Sequence, residues 1–306
     1  MCKRDKGTGK GRPGRSVITE SCEDLYRKNS LKRLLRRFEI ETNRDMGQHF
    51  LFDREFLEAV AKGAGEGEIA VEVGAGPGSL TCLLKERFER IFAVEIDERF
   101  HRLFREINPE VSSVEFVRAD FLDLNFFDLG LKRDRSAVLV GNIPYNITGK
   151  ILERAVEERD LFSRAVFTMQ KEVAERVVAE PGTKKCGAIT FYVQAYGEVN
   201  TLAEISPDSF YPPPEVDSSV IEIVFTRDSK IRSDAETYFS LVRGLFNYRR
   251  KTIRKGLIVS PRFSLTRYEV DELLNKADMD PRKRPEELTL EDFDRLALAL
   301  GNPIQG

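Results

Sequence analysis

Apolar positions along the chain follow two spacings, and the change between them divides the molecule. From about residue 68 to residue 170, near-continuous apolar runs alternate with stretches spaced for helices. EIAVEV (68–73), RIFAVEID (90–97), VEFVRADFLDL (114–124), SAVLVG (136–141) and RAVFTMQ (164–170) read as strands of a parallel sheet buried on both faces. Between them, helical spacing predicts elements after the glycine-rich turn at 74–79, over 149–162 and over 171–183, the last ended by Pro181-Gly182. Before them, MGQHFLFDREFLEAVAKGAG (46–65) opens on a glycine-led turn. Asp53 then caps a helix with Phe56, Leu57, Val60 and Ala61 on one face.

Beyond residue 187 the pattern changes. AITFYVQAY fits a helix or a strand, and VNTLAEI and SSVIEIVF form an antiparallel pair around the stiff loop SFYPPPEVDS (209–218). From Ser229 the spacing is purely helical, which predicts a small bundle of three or four helices. At the other end, residues 1–17 have almost no apolar content and are expected to be disordered, whereas 21–39 read as one short basic amphipathic helix. The expected organisation is therefore a basic extension over 1–40, an α/β domain over 41–228 and a helical domain over 229–306.

Charge changes the picture more than composition does. Apolar residues at 41 % and charged residues at 33 % describe an ordinary globular chain, with no apolar run near the ~20 residues that span a membrane. Net charge is −2, yet through Arg44 there are 13 Lys/Arg against 6 Asp/Glu. A second basic run, GLFNYRRKTIRKGL (244–257), holds Arg249, Arg250, Lys251, Arg254 and Lys255 and no acid. A pI near 6.0 excludes a protein that coats nucleic acid by bulk charge, while local patches suit docking on a folded RNA or DNA. The N-terminus lacks the apolar segment of a secretory signal. Cys2, Cys22, Cys82 and Cys186 are scattered, without metal-like spacing to His49 or His101, so reduced thiols in a cytoplasmic protein and no metal site are expected.

The candidate chemistry sits where the strands end. Gly74, Gly76 and Gly78 follow GxGxG spacing, and Ser79 stands where a dinucleotide fingerprint has its third glycine. Glu95 ends the next strand, about twenty residues on, where an acid accepts hydrogen bonds from ribose hydroxyls. Asp120 ends the third and Asn142 the fourth. Polar groups at successive carboxyl ends describe an edge that binds a nucleoside. Asn142-Ile143-Pro144-Tyr145 adds an amide, a rigid proline and an aromatic ring, suited to a flat, amino-bearing ring. An antiparallel pair closing a parallel sheet suits the methyltransferase version of the doubly wound fold better than the dehydrogenase version.

GQHFL, VEVGAGPGSLT, VEID, AD, GNIPYNIT, FYPPPEVDSSV and FNYRRKTIRKGL occur in that order. Together with DPRKRPEELTLEDF (280–293), they resemble the KsgA-type small-subunit rRNA adenine N6-dimethyltransferases from about Met46 to Leu300. The resemblance implies a Rossmann-like class I methyltransferase domain with a mostly parallel seven-stranded sheet, a small C-terminal helical domain that binds RNA, and S-adenosylmethionine as methyl donor. Carried over, the cofactor contacts are His49, Leu51, Gly74, Glu95, Asp120 and Asn142. Many relatives have Asn where His49 stands. Asn142 and the Ile143 carbonyl would hold the two N6 hydrogens of the target adenine, Pro144 would set the loop, and Tyr145 would stack on the base with Phe210 as the opposite wall. Arg249, Arg250, Lys251, Arg254 and Lys255, on one helix, would contact phosphates, with the N-terminal arm as a further candidate.

The implied substrate is two adjacent adenosines in the 3′-terminal hairpin loop of small-subunit rRNA, on an immature small subunit, with a monomeric enzyme and no membrane. Three other readings remain open at this level. One is a large-subunit rRNA or DNA adenine methyltransferase with the same catalytic half. Another is a ribosome-assembly factor acting by binding alone. An NAD-dependent oxidoreductase is disfavoured by the GxGxG spacing and the Asn142 loop.

Overall fold

The computed structural model describes residues 20–42, 47–109 and 112–301, and the arm over 1–17 lies outside them. Two helices open the described chain, α1 (Cys22–Leu25) and α2 (Lys28–Arg37), where the spacing predicts one. The break falls at Tyr26 and Arg27. Arg27 is extended at the N-cap position of α2, and the Tyr26 hydroxyl donates to the Ser79 carbonyl at 3.4 Å. Leu25, Leu31, Leu34 and Leu35 are buried and share an apolar cluster with Phe100, Leu103 and Phe104.

The chain then runs through β1 (Phe50–Leu51), α3 (Arg54–Ala64), β2 (Gly67–Val73), α4 (Thr81–Leu84), β3 (Phe88–Val94), α5 (Glu98–Ile107) and β4 (Val114–Val117). It continues through β5 (Ala137–Asn142), α6 (Thr148–Glu157), β6 (Phe162–Gln170), α7 (Lys171–Val178), α8 (Ala188–Gln194), β7 (Gly197–Ile205), β8 (Phe210–Tyr211) and β9 (Ser218–Phe225). A seven-stranded sheet has the order β4-β3-β2-β5-β6-β9-β7. The members from β4 to β6 are parallel, and β9 runs antiparallel to β6 and β7. AITFYVQ, ambiguous in sequence, is α8.

Register explains why the site forms at one edge. Val73 is level with Val94, and Val94 with Val117, so the residues after β2, β3 and β4 leave the sheet side by side. Asn142 lies opposite Thr168 on β6. The third strand ends at Val117, earlier than its apolar pattern predicts, and Asp120 instead caps a short 3₁₀ turn at Phe121–Asp123.

Four α-helices complete the described chain, α9 (Ala235–Phe246), α10 (Ile253–Val259), α11 (Arg267–Lys276) and α12 (Leu290–Leu300). They share an apolar core with the sheet. Phe239 stacks on Tyr192 of α8 at 4.3 Å, and Phe293 meets Phe191 edge-on at 4.7 Å. The run RRKTIRK is not one helix: α9 ends at Phe246, the chain turns, and the Thr252 hydroxyl caps α10 by accepting from the Lys255 N–H. Arg249, Arg250 and Lys251 therefore lie in the turn and Arg254 and Lys255 on α10, so the five cations are not carried on one helix.

The cysteines also depart from expectation. Cys22 and Cys82 form a disulfide across a sequence separation of 60, joining α1 to α4, and Cys186 is free and buried. Packing of the N-terminal helices against α5 brings α1 to the glycine turn, and no sequence spacing encodes that proximity. Among the described residues, no helix is long and apolar enough to cross a membrane.

Candidate active site

A cavity of about 290 Å³ opens at the carboxyl ends of the central strands. His49, Leu51, Gly74, Glu95, Asp120 and Asn142 all line it, as does Pro144. Gly74 turns the chain out of β2 with φ +68°, a conformation that L side chains rarely adopt. The Gly74 and Ala75 N–H groups both donate to the Val94 carbonyl, which ties the turn to β3. Gly78 leaves room for Phe104, since a Cβ there would lie 2.2 Å from that ring.

Glu95 is buried and held at both oxygens. The Gly76 N–H donates to one at 3.0 Å and the Asp97 N–H to the other at 3.0 Å. Burial pushes its proton affinity above the usual carboxylate range, and the backbone donors oppose the shift. Each carboxylate oxygen keeps a lone pair for a further donor. Asp120 is exposed at the rim, and one of its oxygens accepts from the Leu122 N–H at 2.9 Å. Between these two acids the side chain of Ile96 is 52 % exposed and lines the cavity with Ala119 and Phe121.

Asn142 is the junction of the site. Its Nδ2 donates to the His49 carbonyl at 2.6 Å, and a carbonyl can only accept, which settles how the amide is turned. The other end, Oδ1, is buried and has no hydrogen-bond partner among the described residues. A buried acceptor left open costs about 1–3 kcal/mol, which a ligand donor entering the cavity would recover.

The following residues hold this geometry. The Ile143 N–H donates to the Thr168 carbonyl at 3.2 Å, and its side chain is buried. The Pro144 carbonyl accepts from the Thr148 hydroxyl at 3.1 Å, which joins the loop to the start of α6. Tyr145 shares a hydrogen bond of 2.6 Å with the Ser218 hydroxyl, and burial pushes its phenol up to about 12. The His49 ring stacks on Tyr145 at 5.3 Å, and its Nδ1 donates to the Pro212 carbonyl at 2.8 Å.

Phe210 does not form the opposite wall. Its ring is 0 % exposed and packs with Leu51, Leu57 and Val60. Antiparallel pairing of β8 with β1 sets Leu51 level with Phe210 and Phe50 level with Tyr211, and strand alternation turns Phe210 inward. His49 is the ring placed against Tyr145 instead. The C-terminal cations also separate by environment. Arg249 pairs with Glu286 at 2.7 Å and Arg254 with Asp271 at 2.6 Å, whereas Arg250 and Lys255 are exposed and Lys251 lies over the Tyr248 ring at 5.6 Å.

Two residues escaped the sequence reading. Ser218 was hidden in the PPPEVDSS run, where nothing marks it as the partner of Tyr145. Glu72 carried a usable signal, an acid inside the buried run IAVEV. It is 2 % exposed, lines the cavity and accepts from the Thr81 hydroxyl at 2.6 Å. Burial pushes its carboxyl up to about 8, so it is mostly protonated at neutral pH.

One test of this packing concerns Ser218. Ser218→Ala strands a buried phenol and is expected to lower stability by about 1–3 kcal/mol. Adding Tyr145→Phe removes the stranded group, so the double variant should regain most of the loss in a urea titration. Additive losses would show that the two hydroxyls are not coupled.

A seven-stranded sheet closed by one antiparallel strand, with a glycine turn and an acid on the next strand, defines a class I S-adenosylmethionine-dependent methyltransferase. Comparison with known proteins gives the family. The model for ribosomal RNA adenine dimethylase matches residues 40–297, and the chain belongs to that family. It is 33 % identical over 269 residues to the Ribosomal RNA small subunit methyltransferase A of Clostridium botulinum strain Okra, covering 87 % of this chain and 96 % of that protein. A dimethyladenosine transferase from Plasmodium falciparum shares the fold with a TM-score of 0.67 at 24 % identity, over 80 % of this chain and 94 % of the other. The 23S rRNA methyltransferase ErmE matches with a TM-score of 0.61 at 25 % identity, over 82 % of this chain and 98 % of the other.

Proposed function

We propose that this protein dimethylates N6 of two adjacent adenosines in the 3′-terminal hairpin loop of small-subunit rRNA. It would act in the cytoplasm as a monomer on an immature small subunit. The observation that carries the reading is the open, buried Oδ1 of Asn142 at the head of a nucleoside-sized cavity. An acceptor there has one ready partner, an N–H of the target amine.

The residues present fit S-adenosylmethionine. Glu95 faces a place for ribose hydroxyls, Asp120 an exocyclic amine, and Ile96 offers an apolar contact for a purine. Bound there, the cofactor supplies an electrophilic methyl group on a sulfonium. The chain's own task is to make a poor nucleophile reactive. Adenine N6 is delocalised into its ring, and Asn142 Oδ1 with the Ile143 carbonyl would hold both hydrogens and favour a pyramidal nitrogen. Catalysis is then positioning and preorganised polarity, with no side-chain base required. The Tyr145 ring, fixed by Ser218, would stack on the extruded base, an interaction of about 1–3 kcal/mol per base.

Similarity to a small-subunit enzyme along nearly the whole of both chains supports the small-subunit substrate over the large-subunit one. Methyl transfer onto immature small subunits, naked rRNA and duplex DNA tests this, and preference for DNA or large-subunit rRNA would sink it. The same assay examines the C-terminal cations. Arg250, Lys251 and Lys255 have no ion pair among the described residues, so neutralising all of them should weaken RNA binding and leave kcat unchanged. Each lost phosphate contact should reduce the slope of log affinity against log salt by about 0.7–0.9.

A further inference from the structure

Helix α2 carries cations that the catalytic machinery does not use. Lys28, Lys32 and Arg36 recur every four residues and so share one face, with about 6 Å of rise between neighbours. That rise is comparable to the separation of successive phosphates along one nucleic acid strand. None of these residues forms an ion pair among the described residues, whereas Arg33 and Arg37 pair with Glu20, and additionally with Asp24 and Glu106 respectively. The helix therefore has a neutralised edge and an uncompensated one.

Two of these cations, Lys28 and Lys32, lie against rings beside the active-site rim, and Arg36 is exposed one turn further on. Lys28 Nζ lies 5.8 Å from the Phe52 ring centroid, and Lys32 Nζ lies 4.8 Å from that of Tyr211. Tyr211 is level with Phe50, a cavity-lining residue, and precedes Pro212, whose carbonyl accepts from His49. His49 in turn holds Asn142 through its own carbonyl. A short chain of contacts thus connects Lys32 to the reactive centre. Ammonium groups held over aromatic faces lose little freedom when a phosphate arrives, and the rings are half-buried, which orients the cations along the rim.

We infer that the Lys28–Lys32–Arg36 face of α2 binds the phosphate backbone of the rRNA strand flanking the target adenosines. This rests on the rRNA reading above. It assigns the N-terminal helices a share of substrate docking, beside that proposed for the C-terminal cations. The phosphates are the occupant that the charge, the spacing and the adjacency to the cavity select.

The test compares the full-length protein with a Lys28→Gln, Lys32→Gln, Arg36→Gln variant and an Arg33→Gln, Arg37→Gln control. Binding of the 3′-terminal rRNA hairpin is followed by fluorescence anisotropy across a salt series, and methyl transfer on small subunits is followed in parallel. The triple variant should raise Kd and KM about tenfold or more and reduce the salt slope by about 2–3, with kcat and S-adenosylmethionine affinity unchanged. The control should bind nearly as the parent does, which separates the face from bulk charge. A parent that binds and methylates while the triple variant keeps its Kd and slope overturns the α2 assignment alone. Equal losses in control and triple variant also overturn it. A parent that neither binds nor methylates the RNA overturns the functional reading and the inference with it.

Discussion

Asn142→Ala is expected to slow methyl transfer about 10²–10³-fold while leaving RNA binding within a few-fold of the parent. The side chain does two things, and the substitution removes both. Its Oδ1 is the open acceptor at the cavity head, and its Nδ2 holds the His49 carbonyl at 2.6 Å. On the proposed mechanism, loss of the acceptor would act on the rate, because the hydrogen bond to N6 would strengthen as positive charge develops on the nitrogen during methyl transfer. Loss of the donor frees the GQHFL turn, which would appear as weaker cofactor binding. Single-turnover methyl transfer and titration with S-adenosylmethionine separate the effects. A chemical step within threefold of the parent would remove Asn142 from the mechanism.

Glu72→Gln is the second large effect, and it concerns stability. Burial pushes the Glu72 carboxyl up to about 8 in the folded protein, from an ordinary 4.5. Between those values the folded state keeps a proton that the unfolded state has released. Stability from this group is therefore fully present below about pH 4.5 and is lost as pH rises through about 8. Complete loss corresponds to roughly 3–5 kcal/mol, at 1.36 kcal/mol per unit, for a side chain this buried. Glutamine keeps an acceptor for the Thr81 hydroxyl and has no proton to lose. The variant should match the parent near pH 5 and exceed it increasingly toward pH 8–9 in urea midpoints. Parallel pH profiles would show that Glu72 is ionised in the folded protein at neutral pH.

The same Glu72 shows how a site residue can be missed. Its neighbours in IAVEV argue for a buried strand, and the apolar members alone are enough to predict it. An acid within such a run needs a partner, and Thr81 supplies it from nine residues on, after the glycine turn. His49 shows a different limit. Its motif was legible, but the contact of its ring with Tyr145 depends on two loops meeting across the cavity mouth. Phe210 belongs to the same motif as Pro212 and yet faces the core, because a two-residue pairing with β1 sets its side.

What the chain determines by itself is local and periodic. Apolar runs of strand length, GxGxG spacing, Glu95, and the Asn142 loop after a buried run need only neighbours in sequence to be read. Parallel strands whose carboxyl ends are in register then carry their polar residues to one edge, so the cavity lining follows from pattern and topology together. Tertiary structure alone decided the Cys22–Cys82 disulfide, the inward turn of Phe210, the pairing of Arg249 and Arg254 with acids 37 and 17 residues away, and the face that α2 presents to the rim. Each depends on which surfaces pack together, and packing brings residues close without regard to their separation in sequence. Charge is where this matters most here. A run of cations identifies a basic segment, but only the folded chain shows which of them are neutralised by partners and which are not.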